Sequence, residues 1–164
     1  NNVLHDVYFA LVHSHLMYAI EVYANTCPSH LDRLFILNNK LLRILQFKSR
    51  RSSVLGLYED FNTLPLPELH KQQLLLFTFK VMHQSYTLPS VFKNYFNINS
   101  SVHTYATRSR NNIHMNRHGT TYGQRCLKYK CAHLWNTLPE NLKMQASVNE
   151  LKVLLRQHLV NEQR

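Results

Sequence analysis

Hydrophobic residues recur at three- and four-residue steps along much of the chain, which is the spacing of amphipathic α-helices. The first such run extends from Val3 to about Thr26 and stops at Cys27-Pro28. A second run begins at Ser29, where Asp32 follows three residues later as a near capping box. The pattern therefore predicts two long helices at the start of the chain.

A third apolar run begins after Pro67 and Glu68, which suit the first turn of a helix because proline needs no amide donor there and a carboxylate favours the positive end of the helix dipole. From Leu69 to His83 the apolar residues surround the helix almost completely. We therefore predict that this helix is buried.

The composition changes after this helix. Residues 95–121 are rich in Asn, Ser, Thr, His and Arg, and this composition predicts a loop with one or two short strands.

Two further helices are predicted after this loop. The first begins at Gly123 and ends near Trp135, which we expect in the core. Asn136 and Pro139 are predicted to form the turn after it. Ser147 and Glu150 have the spacing of a capping box for a final amphipathic helix.

These elements predict a mainly α fold. We expect a helical bundle over residues 1–87, followed over residues 88–164 by a basic, loop-rich extension that ends in a helix pair. The chain has 3 glycines in 164 residues, which also favours helices over folds built on many tight glycine turns.

Charge is strongly unbalanced. The chain carries 19 Lys and Arg against 9 Asp and Glu, a formal net charge of +10. No acidic residue occurs between Glu68 and Glu140, whereas nine basic residues do. Such a stretch of one sign favours a polyanionic partner, with nucleic acid first. The alternative explanation is that the positive charge only keeps the protein soluble and has no partner. An anionic membrane surface is a weaker one, because the basic residues from Arg108 to Lys130 do not follow one long amphipathic helix.

Candidate binding residues come from this acid-free stretch, where aromatic, hydroxyl and guanidinium groups alternate. Guanidinium and ammonium groups suit phosphate contacts, and tyrosine rings suit stacking on unpaired bases. The predicted phosphate contacts are Arg108, Arg110, Arg117, Arg125, Lys128 and Lys130, and the predicted stacking residues are Tyr105 and Tyr122.

The common catalytic and metal-binding motifs are missing from the sequence. It has no Gly-x-Ser-x-Gly elbow, His-Glu-x-x-His helix or Gly-Lys-Ser/Thr phosphate loop. Glu59 and Asp60 are adjacent but suit a solvated turn, so no carboxylate cluster for Mg²⁺ is predicted. Cys126, Cys131 and His133, with His114 and His118 nearby, could supply four zinc ligands but lack the paired spacing of a zinc finger. We predict neither catalytic residues nor a metal site.

Three cysteines are too few for a disulfide framework and suit a reducing compartment. No apolar run approaches the roughly 18 residues of a membrane span, and we identify no signal peptide. We therefore expect an intracellular protein, in the cytoplasm or nucleus, without a membrane partner. The start at Asn1 leads us to expect a piece of a longer chain.

Seven segments occur in an order that matches a known arrangement. They are Leu11–Tyr23, Leu34–Ile44, Leu64–Leu66, Leu88-Pro89, His103–Ser109, Thr121–Gly123 and Leu134–Pro139. Together, and over nearly the whole chain, they resemble the C-terminal region of LINE-type, jockey-like non-LTR retrotransposon reverse transcriptases.

The resemblance implies that the helices up to about Gln84 are a polymerase thumb and that the rest is the family's C-terminal extension. The palm, with its Tyr-x-Asp-Asp aspartates and its Mg²⁺, would lie upstream in the same polyprotein and be a partner of this fragment. The sequence lacks those aspartates, so the fragment would not polymerise DNA alone. It also lacks the Cys-Cys-His-Cys knuckle of some members, so the resemblance implies no metal and no cofactor here.

Two functions follow as hypotheses. The first is a non-catalytic fragment of an RNA-directed DNA polymerase that binds and positions RNA or an RNA/DNA template-primer. The alternative is a helical protein-interaction domain, a relic or reuse of such an element, whose basic surface binds an acidic partner.

Overall fold

The computed structural model describes residues 2–105 and 107–162 and is mainly helical, as the hydrophobic pattern predicts. The chain divides into two compact units, residues 1–70 and residues 71–164. This boundary differs from the predicted one between residues 87 and 88. No described helix is long and apolar enough to cross a bilayer.

The first unit contains several short helices and one long one. Its elements are α1 (Asn2–Val7), a π-helical segment (Tyr8–His13), α2 (Ser14–Met17), α3 (Ile20–Tyr23), α4 (Pro28–Leu45), α5 (Val54–Asp60) and the start of α6 (Leu66–His83). The run predicted as one helix from Val3 to Thr26 is thus interrupted twice. Its backbone widens at the π-helical segment and turns at Ala19, which has a left-handed φ of 53°.

The core of the first unit contains a buried polar network as well as apolar side chains. The Tyr8 hydroxyl donates to Asn38 Oδ1 (3.2 Å), and Asn38 Nδ2 donates to the Tyr58 hydroxyl (3.2 Å). The Tyr58 hydroxyl in turn donates to Asn39 Oδ1 (2.5 Å). Burial raises the pKa of both tyrosines, most strongly that of Tyr58. The network therefore joins the π-helical segment, α4 and α5 through neutral hydroxyls.

Helix α4 ends in a left-handed turn at an unusual residue. The Lys48 amide donates to the Arg43 carbonyl (2.9 Å), as in a Schellman motif, and Phe47 takes the left-handed position with a φ of 54°. Glycine usually occupies this position because a Cβ is strained there. The Phe47 side chain is 83% exposed, so little packing offsets the strain.

We expect Phe47→Gly to raise the free energy of unfolding by about 1 kcal/mol, because it relieves the left-handed strain of an L-residue. Urea denaturation followed by circular dichroism measures this difference. Phe47→Ala is the matched control, since it removes the ring but keeps the Cβ. Equal gains from both variants would show that loss of the exposed ring, and not backbone strain, is responsible.

The described part of the second unit contains the rest of α6 and five further helices. These are α7 (Asn99–Val102), α8 (Thr121–Gln124), α9 (Leu127–Thr137), α10 (Glu140–Lys143) and α11 (Val148–Asn161), with short 3₁₀ turns at Ser85–Thr87 and Ser90–Phe92. The predicted cap of the last helix is confirmed, because Ser147 Oγ accepts from the amides of Asn149 (3.2 Å) and Glu150 (3.3 Å).

The core of the second unit explains the position of the boundary. Leu74 and Phe79 of α6 belong to the same buried cluster as Trp135 of α9 and Leu151 and Leu155 of α11. Most of α6 therefore packs with the C-terminal helices, instead of belonging wholly to an N-terminal bundle. The prediction that α6 is buried and that Trp135 lies in the core is confirmed.

Backbone pairing and the Asn136 side chain of α9 help to hold the segment between α6 and α8. Ile98 and Ile113 form an isolated antiparallel bridge where one or two short strands were predicted. Asn136 Oδ1 accepts from the Ile113 amide (2.9 Å), and Asn136 Nδ2 donates to the Ile113 carbonyl (2.9 Å). The turn prediction for Asn136 is wrong, because this residue lies within α9. Its side chain makes the two hydrogen bonds with the Ile113 backbone that a neighbouring strand would otherwise make.

Candidate nucleic-acid interface

The net positive charge resides entirely in the second unit. Residues 1–70 contain six Lys or Arg and six Asp or Glu, so their formal charges cancel. Residues 71–164 contain thirteen basic and three acidic residues, which accounts for the whole net charge of +10. All eight predicted binding residues lie in this second unit.

A closed loop carries the first of the predicted binding residues. The Asn99 amide donates to the Asn112 carbonyl (2.9 Å), and the Ser100 amide donates to the Arg110 carbonyl (3.0 Å). Asn99 Nδ2 also donates to the Ser109 carbonyl (2.9 Å). These bonds close residues 99–112 into a loop with a defined neck.

Three predicted binding residues lie on this loop, and all three side chains are exposed: Tyr105, Arg108 and Arg110. Tyr105 is 66% exposed, and the His103 ring stacks on it with 5.5 Å between centroids. His103 therefore supports Tyr105 while leaving much of its surface accessible. Ala106 of this motif lies outside the described residues.

Arg117 and Tyr122 follow on the next segment, and both are exposed. Tyr122 lies on α8, whose N-cap Thr120 accepts through its hydroxyl from the Gly123 amide (3.1 Å). The Tyr122 side chain is 87% exposed. An exposed ring on a capped turn suits stacking, although no described contact joins Tyr122 to Tyr105.

Helix α9 presents its two lysines in different directions, because residues two apart on a helix lie on different sides. Lys128 Nζ lies 5.4 Å from the centre of the Tyr95 ring. Burial lowers the pKa of Lys130, and the positive charge of Arg125 lowers it further. Lys130 therefore lies near Arg125, whereas Lys128 lies near Tyr95. The predicted cations thus differ in their surroundings.

Sequence inspection considered His114 and His118 only as zinc ligands and did not predict that they line a small pocket together with Lys128 and Tyr129. His114 contacts His103 edge-on (5.7 Å between centroids), and His118 contacts Tyr129 edge-on (5.4 Å). Four of the eleven histidines lie between residues 103 and 133, within the acid-free stretch. That concentration is the signal that could have identified them as part of the surface.

The cysteines of this region do not assemble a metal centre. Cys131 is buried, with its thiol 3.7 Å from the Leu74 carbonyl, whereas Cys126 is exposed. Within residues 2–105 and 107–162, no group of three or more His, Cys, Asp or Glu side chains is arranged to hold a metal ion.

Comparison with known proteins leaves the family open. No protein-family model, curated protein or solved structure matches the chain. The similarity to non-LTR reverse transcriptases therefore stays a prediction from the sequence motifs.

Proposed function

We propose that this chain binds and positions RNA or an RNA/DNA template-primer, as a non-catalytic C-terminal fragment of a retrotransposon reverse transcriptase. The observation that carries the binding proposal is the concentration of the whole net charge in residues 71–164. A polyanion gains affinity from such a surface by releasing its condensed counterions. The proposal implies an intracellular location, in the cytoplasm or nucleus.

The exposed side chains of the second unit support a division of roles. The side chains of Arg108, Arg110 and Arg117 are exposed, so each is accessible to a phosphate group. A guanidinium group can bind two phosphate oxygens at once. Tyr105 and Tyr122 expose ring surface on which unpaired bases can stack. The fragment would hold the substrate, while the upstream palm with its Mg²⁺ would perform the chemistry.

Fluorescence anisotropy with a labelled RNA/DNA hybrid, measured from low to moderate salt, tests this proposal. If six cations neutralise phosphates, the logarithm of the affinity should fall against the logarithm of salt concentration with a slope of about −4 to −5. Replacing Arg108, Arg110 and Arg117 together by glutamine should flatten the slope by about 2 to 3. No binding by the folded chain at the lowest salt would overturn the proposal.

Three exposed arginines of the first unit provide a matched control. Replacing Arg33, Arg50 and Arg51 by glutamine removes the same charge and the same chemical group from exposed positions outside the proposed interface. We expect a smaller change in slope from this control. Equal effects of the two triple variants would mean that binding depends on total charge and not on the proposed surface.

The alternative is a helical protein-interaction domain whose basic surface binds an acidic partner; to it the first unit would add exposed apolar side chains but no net charge. Val3, Val7 and Leu11 are exposed at four-residue steps, and Ile36 and Ile44 are exposed on α4. Exposed apolar positions on helices are typical of protein interfaces.

A competition experiment with labelled RNA/DNA hybrid separates nucleic-acid binding from binding of an acidic protein. Displacement of labelled hybrid by unlabelled hybrid, but not by polyglutamate of equal charge, supports nucleic-acid binding, and the reverse result supports an acidic protein partner.

A further inference from the structure

A small polar pocket lies within the second unit, beside the closed loop and α9. Its volume is about 50 Å³. The polar residues that line it are Asn97, His114, Asn116, His118, Lys128 and Tyr129. None of the described lining residues is acidic, so the pocket presents one full positive charge and several potential hydrogen-bond donors.

Lys128 is held at this pocket by its surroundings. Its ammonium group lies over the Tyr95 ring, and its side chain is partly buried along α9. A lysine held in this way loses less side-chain entropy on binding an anion than a freely moving surface lysine does.

His114 is oriented by the neck of the closed loop. Asn99 Nδ2 donates to the Ser109 carbonyl, which turns Asn99 Oδ1 toward His114 Nδ1 at 3.0 Å. Because an amide oxygen only accepts, this bond assigns the hydrogen to His114 Nδ1. Asn99 therefore connects the pocket to the loop segment that carries Arg108 and Arg110.

His118 is positioned by close packing against Gly123 and Tyr129. A Cβ added at Gly123 would lie 2.9 Å from His118 Nδ1, so glycine leaves the space that this ring occupies. The His118 ring also meets Tyr129 edge-on. Contacts on two sides hold the imidazole in place at the pocket.

The volume limits the ligand to a small group. A cavity needs roughly 10 to 15 Å³ of the same kind of volume to hold one water, so this pocket has room for about three to five water-sized atoms, which is too few for a nucleobase. A tetrahedral phosphoryl group has that size, carries negative charge and accepts several hydrogen bonds.

We propose that this pocket binds a phosphoryl group, with Lys128 as the charged contact and the asparagine amides, the His118 imidazole and the Tyr129 phenol as hydrogen-bond donors. The phosphoryl group can belong to a nucleic-acid backbone or to a free phosphate or phosphate monoester. The backbone source rests on the proposed function, whereas the free or monoester source is independent of it.

Nuclear magnetic resonance titration of the ¹⁵N-labelled full chain tests the pocket. Inorganic phosphate represents the free anion, dimethyl phosphate represents the backbone diester, and sodium chloride at matched ionic strength corrects for screening. We expect saturable shifts of residues that line the pocket. Lys128→Met, which keeps the aliphatic contact with Tyr95, should weaken phosphate binding at least tenfold, while Lys152→Met, at an exposed position of α11, should leave it unchanged.

Several outcomes separate the pocket from the proposed function. Saturable phosphate binding that the hybrid displaces, together with weaker hybrid binding by Lys128→Met, supports the backbone source. Saturable phosphate binding without hybrid binding supports the pocket and overturns the proposed function. Unsaturable shifts over many exposed cations, or equal losses in Lys128→Met and Lys152→Met, overturn the pocket even if the hybrid binds. Circular dichroism of each variant verifies that it is folded.

Discussion

Asn136→Ala should lower the free energy of unfolding by about 2 to 4 kcal/mol, because it leaves two buried backbone groups without their hydrogen-bond partner. In the native structure the Asn136 side chain accepts from the Ile113 amide and donates to the Ile113 carbonyl. Ile113 is 1% exposed, so water cannot easily replace the lost side chain. Alanine favours the helix itself, so the loss arises from the tertiary contact alone.

Urea denaturation followed by tryptophan fluorescence measures this effect, because Trp135 is the only tryptophan and lies in the core of the second unit. Asn141→Ala is the matched control, since Asn141 is an exposed asparagine on α10. We expect the control to change stability by less than about 0.5 kcal/mol. Similar changes in both variants would contradict the structural role of Asn136.

Asn38→Ala should produce a loss of similar size in the first unit, about 2 to 4 kcal/mol. It removes the acceptor of the Tyr8 hydroxyl and a donor to the Tyr58 hydroxyl. Both tyrosines are buried, and burial raises the pKa of each, so neither hydroxyl escapes the lost bond by ionising at neutral pH. Removing a hydrogen-bond partner from a hydroxyl that is buried in the core is costly.

A double-mutant cycle with Tyr8→Phe tests whether the hydroxyl and the amide act as a pair. Unfolding of Asn38→Ala, Tyr8→Phe and the double variant by urea, followed by circular dichroism, gives the three free energies. We expect the double variant to lose less stability than the two single variants together, by about 0.5 to 3 kcal/mol, since the phenylalanine has no hydroxyl to satisfy. Strict additivity would contradict a coupled network.

Local signals predicted the long helices α4, α6 and α11 well. Ser147 caps α11 as predicted, and α6 starts at Leu66, one residue before the proline expected to begin it. Helix α4 starts at Pro28, one residue before the predicted Ser29, and its N-cap is Cys27, so the capping box predicted at Ser29 is wrong. These features depend on residues within about one helical turn of each other, which a sequence displays directly. The interruption of the first helix escaped prediction, because neither the π-helical segment nor the left-handed Ala19 leaves a glycine or proline in the pattern.

The candidate site was predicted in composition but not in arrangement. The acid-free stretch identified the cations, and the structure exposes Arg108, Arg110 and Arg117. It does not make the six predicted cations equivalent, since Lys128 lies over Tyr95 and Lys130 is partly buried near Arg125. Whether a cation is exposed, stacked or buried depends on side chains distant in sequence.

The sequence by itself determined the helical class, the approximate ends of the long helices and the location of the positive charge, because each follows from residue type and short-range spacing. Only the tertiary structure decided the boundary between the units, the partner of Asn136 and the pocket around Lys128. The Asn136–Ile113 contact spans 23 residues and the bridge between Ile98 and Ile113 encloses a whole loop. Such contacts form only when the chain has folded, so no local pattern encodes them.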